Sequence, residues 1–295
     1  MEFINAVQAA SKNAEIFPLI EKFIFPYEHT CVQLASHIRH KSPDIYIIFN
    51  GTNSDFLESA NSNSTENFLG IIFFDKTLLH CIPDTQLLAC EAFKTSFAEF
   101  SKKHQVKCIN GQKNTTDFFI ECFDEQGIHP FQIINYKLMT LQKEPLAPPE
   151  TLSCDDEIKR CTIDDEEILL DLQKKYLIKE VAPNGKEITN LQCAATLTQI
   201  LKNQLCYALF TDGEPVAKAN TNAIGFNWGQ LGGIYTHPLY RKNYYAWHLI
   251  YKICTRFFTS QKKLSLFVKE NNNPAISLYK KIGFCENGRH TIAYF

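Results

Sequence analysis

Nothing in the charge balance of this 295-residue chain points to a polyanion or a membrane surface. Its 30 basic and 32 acidic side chains leave a formal net charge of −2, so the basic footprint of a nucleic-acid binder is missing. Long apolar runs are missing too: no stretch reaches the ~18 residues of a membrane span. The N-terminus, MEFINAVQAASKNAEIFPLIEKF, lacks the basic start and apolar run of a secretory signal. The 11 cysteines form no C-x-x-C pair, which argues against a zinc site or a redox dithiol. Reduced, buried thiols in a cytoplasmic protein are the simpler reading. No metal site is expected, and the composition carries no information on oligomeric state.

What is present is apolar bulk. Hydrophobic residues make up 45% of the chain and phenylalanine alone accounts for 23, enough for a large core. The length suggests two domains. PLAPPE, Pro145 to Glu150, holds three prolines in six residues and reads as an extended linker. It divides the chain into residues 1–146 and 151–295. In the first part, DIYIIFN and NFLGIIFF are strand-like, and the polar SDFLESANSNSTEN, Ser54 to Asn67, reads as a long hairpin loop between them. TLLHCIP and VKCIN are short strands, and PFQIINYKLMTL is a longer one. QLLACEAFKTSFAEF is helical, with Cys90, Phe93, Phe97 and Phe100 on one face, and TTDFFIECF is a second helix.

The second part alternates in the same manner. IKRCTI is a strand, and DDEEILLDLQKKYLIKEV is a helix whose acids suit its N-terminus. LQCAATLTQILKN is another helix. QLCYALF and PVAKANT form a hairpin across Asp212-Gly213. QLGGIYTHP is a strand. The helix that begins at Tyr245 places Ala246, Leu249, Ile250, Ile253 and Phe257 on one face. LSLFV is a buried strand. The helix from Pro274 lines up Ala275, Leu278, Tyr279 and Ile282, and Gly283 caps its end. HTIAYF is the final strand. The pattern predicts a mixed, mostly antiparallel sheet flanked by helices, in an α/β (α+β) arrangement.

Four pieces of the second part, in order, resemble the GNAT acyltransferase superfamily. GGIYTHPLYR resembles its fourth strand and the loop that follows. RKNYYA, Arg241 to Ala246, lies where the superfamily has Q/R-x-x-G-x-G/A. LSLFVKENN resembles the fifth strand, and NNPAISLYKKIGF resembles N-x-x-A-x-x-L-Y-x-x-x-G-F. The resemblance spans roughly residues 158–295. It implies acetyl-CoA (CoA) as the cofactor and an amine, small molecule or peptide, as the acceptor.

The same resemblance implies roles for particular residues. Backbone amides over Arg241, Lys242, Asn243, Tyr244, Tyr245 and Ala246 would cradle the pyrophosphate at a helix N-terminus. Ile234 and Tyr235 would offer their backbone to the pantetheine arm, and Asn272 its side chain. Tyr279 would act as general acid toward the departing thiolate. Glu180 is the foremost candidate for a general base and His237 the second, with water and a backbone carbonyl as a further option. Cys193, Cys206 and Cys254 show no histidine pairing that would make them nucleophiles. One position departs from the pattern: Tyr244 stands where the superfamily has glycine, which lets backbone approach phosphate without a Cβ. Two readings stay open. One is an N-acetyltransferase; the other is a non-catalytic CoA-binding or regulatory protein on the same fold.

The first part resembles a worn copy of the second. VKCINGQKNTTDFFIECF lies against LFVKENNNPAISLYKKIGF, so that Phe119 falls opposite Tyr279 and Gln112 opposite Asn272. No glycine-containing cradle follows TLLHCIPD. A GNAT-like first copy without a CoA site is expected.

Overall fold

Alternating apolar residues and turn chemistry decide where the strands of this protein fall. The computed structural model describes residues 1–62, 64–181 and 187–295. Contacts group them into two units. The first comprises Met1–Leu138, Gly225–Asn227 and Gly288–Phe295; the second comprises Met139–Ile224 and Trp228–Asn287.

The first unit begins with β1 (Glu2–Asn5), α1 (Ala6–Ala10), α2 (Ile16–Ile24) and α3 (Val32–Arg39). There follow β2 (Ile45–Phe49), α4 (Asn53–Asn61), β3 (Phe68–Phe74), β4 (Thr77–Cys81), α5 (Glu91–Ser101), β5 (Cys108–Gln112), α6 (Lys113–Asp124) and β6 (Gln132–Leu141), whose last three residues count with the second unit. Strands run in the order β1-β2-β3-β4-β5, antiparallel except for the parallel pair β4/β5. The chain's final strand reaches the other side of β5, with His290–Tyr294 antiparallel to Cys108–Gln112. Helices α5 and α6 bury Phe93, Phe97, Phe119 and Phe123 in one aromatic core.

Two expectations are corrected here. The polar stretch from Ser54 is not an irregular loop, because most of it is α4. Thr52 Oγ1 accepts the Asp55 N–H at 3.4 Å, and the Asp55 carboxylate accepts the Thr52 N–H at 2.8 Å. This capping box starts the helix, and Phe56 and Ala60, one turn apart, bury its inner face. Asn63, in the same stretch, lies outside the described residues. The helix expected over QLLACEAFKTSFAEF is interrupted at Cys90, which is extended (φ −88°, ψ 112°) and precedes α5. Cys90 is the N-cap of α5 and still packs against the cluster that holds Phe93 and Phe97.

The second unit contains β7 (Asp156–Arg160), α7 (Glu166–Tyr176), a wider turn over Leu177–Val181, α8 (Asn190–Asn203), β8 (Cys206–Thr211) and β9 (Glu214–Ile224). Then come β10 (Trp228–Thr236), α9 (Tyr245–Thr259), β11 (Lys263–Lys269), α10 (Asn273–Ile282) and β12 (Cys285–Tyr294), which leaves for the first unit at Gly288. The strand order is β7-β8-β9-β10-β11, again antiparallel except for one parallel pair, β10/β11. Asp212 (φ 53°) and Gly213 (φ 81°) make the hairpin turn that the sequence announces. Helix α9 buries Leu249, Ile250, Ile253 and Phe257. Gly283 (φ 116°) ends α10, and its N–H reaches the Tyr279 and Lys280 carbonyls. Leu146 in the proline-rich segment is fastened at both backbone groups. Its N–H donates to Ile282 O at 2.9 Å, and its carbonyl accepts Trp247 Nε1–H at 2.9 Å.

The pairing of β9 with β10 slips twice: β9 has an extra residue between Ala223 and Thr221, opposite Gln230 and Leu231, and further on β10 has one. Gly232 faces Asn220 and Tyr235 faces Lys218, so three steps on β10 span two on β9. This β-bulge is built on Gly233, at φ +58°. A Cβ there would lie 1.7 Å from Asn220 Oδ1.

Two measurements check these accounts. Gly233→Ala meets both the left-handed backbone and the Asn220 clash, whereas a Cβ at Gly213 meets open space. Urea denaturation is expected to show a loss of about 1 kcal/mol for Gly213→Ala and about 3 kcal/mol or more for Gly233→Ala; equal losses would contradict the packing described. His80 in β4 is fully buried, and burial pushes its imidazole down to about 3. The unfolded chain takes up this proton near the usual value of about 6.5. The histidine's contribution to stability is therefore complete above pH 6.5 and is lost as pH falls toward 3. Between pH 7 and 4.5 the native protein should lose about 2 kcal/mol more than His80→Gln does, measured by urea melts.

Candidate active site

The parallel pair β10/β11 holds register from Trp228↔Lys263 to Leu231↔Leu266 and no further. Past Leu231 the bulge carries β10 along β9, while β11 continues through Phe267 to Lys269. The two strands part, and Gly232 to Tyr235 offer backbone on the β10 side of the gap. Ile234 is half-buried, and Tyr235 is buried beside Lys218 in the register.

Helix α9 starts just past β10, after His237 and a turn at Pro238–Tyr240. Its N-cap is Tyr244, with φ 59°, ψ 10° and no side-chain cap. Lys242 is also left-handed, at φ 71°. The first-turn N–H groups of a helix have no intrahelical partner, and here no side chain takes their place at the cap. The Tyr244 ring stands outward, 44% exposed and edge-on to Trp247 at 6.2 Å. A left-handed tyrosine costs on the order of 1 kcal/mol that glycine would not. Arg241, Lys242 and Asn243 are exposed; Arg241 Nε–H donates to Thr236 O at 3.3 Å. The Tyr245 side chain is committed elsewhere, since its hydroxyl donates to the Asp156 carboxylate at 3.0 Å. Only the backbone of Tyr245 faces the helix terminus, and Ala246 beside it is half-buried.

Helix α10 supplies the phenol. Asn272 caps it, with Oδ1 accepting the Ala275 N–H at 3.3 Å. That bond starts the helix and fixes the phase of Tyr279 two turns on. Tyr279 is 7% exposed and packs in the core that also holds Leu231, Leu266 and Val268. Burial pushes its hydroxyl well above the usual phenol range, and the charges of Tyr176 and Glu180 push in the same direction. The group stays protonated at neutral pH. Glu180, in the turn after α7, sits 3.5 Å from Lys269 Nζ at the end of β11. His237 has a buried Nδ1 without a partner among the described residues.

Several site residues carry no motif. Lys218 in β9 is fully buried, and its Nζ donates to Asn220 Oδ1 at 2.9 Å and to Gly233 O at 3.1 Å. It lies 5.0 Å from the ring of Tyr176 in α7. Burial lowers its ammonium below the usual lysine value, and the thiols of Cys206, Cys161 and Cys193 oppose that. Gln173 in α7 and Gln230 and Ser265, which face each other across β10/β11, have buried polar atoms without partners among the described residues. The signal that marks this layer is the alternation in PVAKANT: Ala217 and Ala219 face one side of the sheet, and Lys218 and Asn220 the other. The thiols are inert by position. Cys193, Cys206 and Cys254 are all buried, and burial pushes the Cys254 thiol upward. Among the described residues no cluster of three or more histidine, cysteine or carboxylate side chains could hold a metal ion. Among the described residues, too, no helix is long and apolar enough to cross a membrane.

The first unit has the corresponding parallel pair, but its β4 keeps an unbroken register with β3, without a bulge. β4/β5 hold register only to Leu79↔Asn110. The next residue is His80, whose Nε2 lies 2.9 Å from Thr116 Oγ1 and whose ring lies 5.3 Å from Phe119. A Cβ on Gly111 would fall 2.1 Å from His80 Nε2.

Residues 169–284 match the family described as Acetyltransferase (GNAT) family. No curated protein matches the chain. Among solved structures, a Drosophila protein is 13% identical, with a TM-score of 0.64 over 96% of this chain and 96% of its own. A GNAT-family acetyltransferase from Colwellia psychrerythraea is 12% identical, with a TM-score of 0.56 over 100% of this chain and 98% of its own. A tandem GNAT protein from the clavulanic acid biosynthesis pathway is also 12% identical, with a TM-score of 0.54 over 99% of this chain and 97% of its own. These likenesses are of fold. Residues 169–284 thus carry the match to the Acetyltransferase (GNAT) family, and the chain as a whole shares its fold with a tandem GNAT protein.

Proposed function

We propose that the second unit is an acetyl-CoA-dependent N-acetyltransferase that transfers the acyl group to an amine, small molecule or peptide, by direct attack in a ternary complex. The observation that carries this reading is the gap between β10 and β11 beside a buried, protonated Tyr279. The pantetheine arm would enter that gap as an added strand, on the backbone of Ile234 and Tyr235. Its pyrophosphate would meet the uncapped amides at the start of α9, where the dipole favours an anion. Lys242 and Arg241 add positive charge there, and Asn272 keeps its Nδ2 for the arm because Oδ1 is spent on the cap.

In the reaction, the amine nitrogen bonds to the thioester carbonyl carbon, the carbonyl oxygen takes up negative charge, and the carbon–sulfur bond then breaks. Backbone N–H groups at the bulge stabilise the oxygen. Tyr279 donates its hydroxyl hydrogen to the departing sulfur. Its raised affinity for the proton makes it a hydrogen-bond donor to the thiolate throughout the neutral range. Glu180 receives the proton of the amine, directly or through water. On this reading the first unit is a GNAT-like copy without a CoA site, supported by His80, packed on Thr116 and Phe119, at the position where β10 has its glycines.

The left-handed Tyr244 supports a second reading, a non-catalytic protein whose phosphate cradle is narrowed. Calorimetry with acetyl-CoA on the native protein and on Tyr244→Gly separates the two. Native binding in the micromolar range is expected. Binding only after the glycine is introduced would replace the enzyme reading with the non-catalytic one. Tyr279→Phe should lower thiol release from acetyl-CoA, assayed with a panel of primary amines, by about 100-fold while acetyl-CoA affinity holds. Unchanged turnover would remove Tyr279 from the mechanism.

A further inference from the structure

Lys218 is a buried cation for which no carboxylate partner is found among the described residues. Burying a lone ammonium is costly unless its hydrogen bonds are met. Two of its three donors are met by groups that define the bulge. One is the carbonyl of Gly233, the left-handed residue. The other is Oδ1 of Asn220, the atom a Cβ at Gly233 would strike. Asn220 Nδ2–H in turn donates to Thr221 O at 2.9 Å, which fixes the amide. The Tyr176 ring takes the remaining side of the ammonium.

In a trans peptide the carbonyl and the next residue's N–H point in opposite directions, and this chain has no cis peptide among its described residues. Where the Gly233 carbonyl is held toward Lys218, the Ile234 N–H is held away from it. A bulge leaves its extra residue outside the ladder, so this peptide is set by Lys218 rather than by strand pairing. The charge on Lys218 also polarises the peptide it binds, which strengthens the opposite N–H as a donor.

We propose that Lys218 is a positioning residue: by holding the Gly233 carbonyl, it aims the Ile234 N–H at the thioester oxygen of the bound acyl-CoA. The proposal rests on the acyl-CoA reading above and deepens it, since it assigns the recognition of the acyl carbonyl to one side chain. CoA itself has no such carbonyl. Lys218 therefore favours the acylated form and leaves the free thiol indifferent.

The test compares CoA and acetyl-CoA by calorimetry on the native protein, Lys218→Met and Lys218→Gln, with thermal melts to confirm folding. Methionine keeps the length and the contact with Tyr176 but loses the charge and the donors; glutamine covers the case in which the methionine variant fails to fold. Acetyl-CoA affinity should fall about tenfold in either folded variant, the loss of one charge-assisted hydrogen bond, while CoA affinity stays within twofold. Isotope-edited infrared spectra of bound acetyl-CoA should show a carbonyl band at lower frequency in the native complex than in the variants. Equal losses for both ligands, no loss for either, or an unmoved carbonyl band would overturn the role of Lys218. A native protein that binds neither ligand would instead overturn the acyl-CoA reading, and this inference with it.

Discussion

One extra residue in β10 is the constraint on which the second unit depends. Three steps from Gly232 to Tyr235 must match two on β9, and here a left-handed residue closes that mismatch. Gly233 is that residue, and Asn220 fills the space its missing side chain leaves. With the mismatch absorbed toward β9, β10 no longer keeps pace with β11 beyond Leu231↔Leu266. The gap and the exposed backbone lie at this insertion, just past the opposite slip in which β9 gains a residue between Ala223 and Thr221, and Lys218 lies buried beside it. Around it the unit is conventional: antiparallel hairpins, an apolar helix α9 and a glycine-ended α10.

The first unit has the same order of elements, β3-β4-α5-β5-α6 against β9-β10-α9-β11-α10, and the same single parallel pair. The difference lies in the backbone, which is bulged in β10 and regular in β4, and in side-chain volume. Where the second unit places Gly232 and Gly233, the first places His80, a neutral imidazole packed against Thr116 and Phe119. The Phe-rich composition of the chain is spent here, in contacts such as Phe97 with Phe119 and Phe123.

Much of this was legible from residue order. The Asp212-Gly213 turn, the apolar face of α9, the Pro274 start and the Gly283 end of α10 each have a local cause, so local sequence identifies them. The helices at the start of the chain carry a similar signal in Ile16, Leu19, Ile20 and Ile24, though Pro18 in the first turn blurs it. Helix α4 was hidden because Ser and Asn favour turns, and only the Thr52–Asp55 box and buried Phe56 tip the balance. In the candidate site, Tyr279 and Asn272 stand out through the resemblance of NNPAISLYKKIGF to the superfamily's motif. Lys218 does not. Its importance comes from long-range pairing that puts it under Gly233, fifteen residues away, and a lone lysine in a strand is ordinarily a surface residue.

The last strand has a further consequence, for how the protein is made. Residues 290–294 pair with Cys108–Gln112 in the first unit, although more than 170 residues separate them in the chain. A ribosome delivers β1 to β5 early, yet the open edge of β5 must wait for these residues. Until they emerge, that edge offers unpaired backbone to any neighbouring strand. The sheet of the first unit therefore cannot close beside β5 until residues 290–294 have been made, and its completion rests on a pairing of long sequence separation.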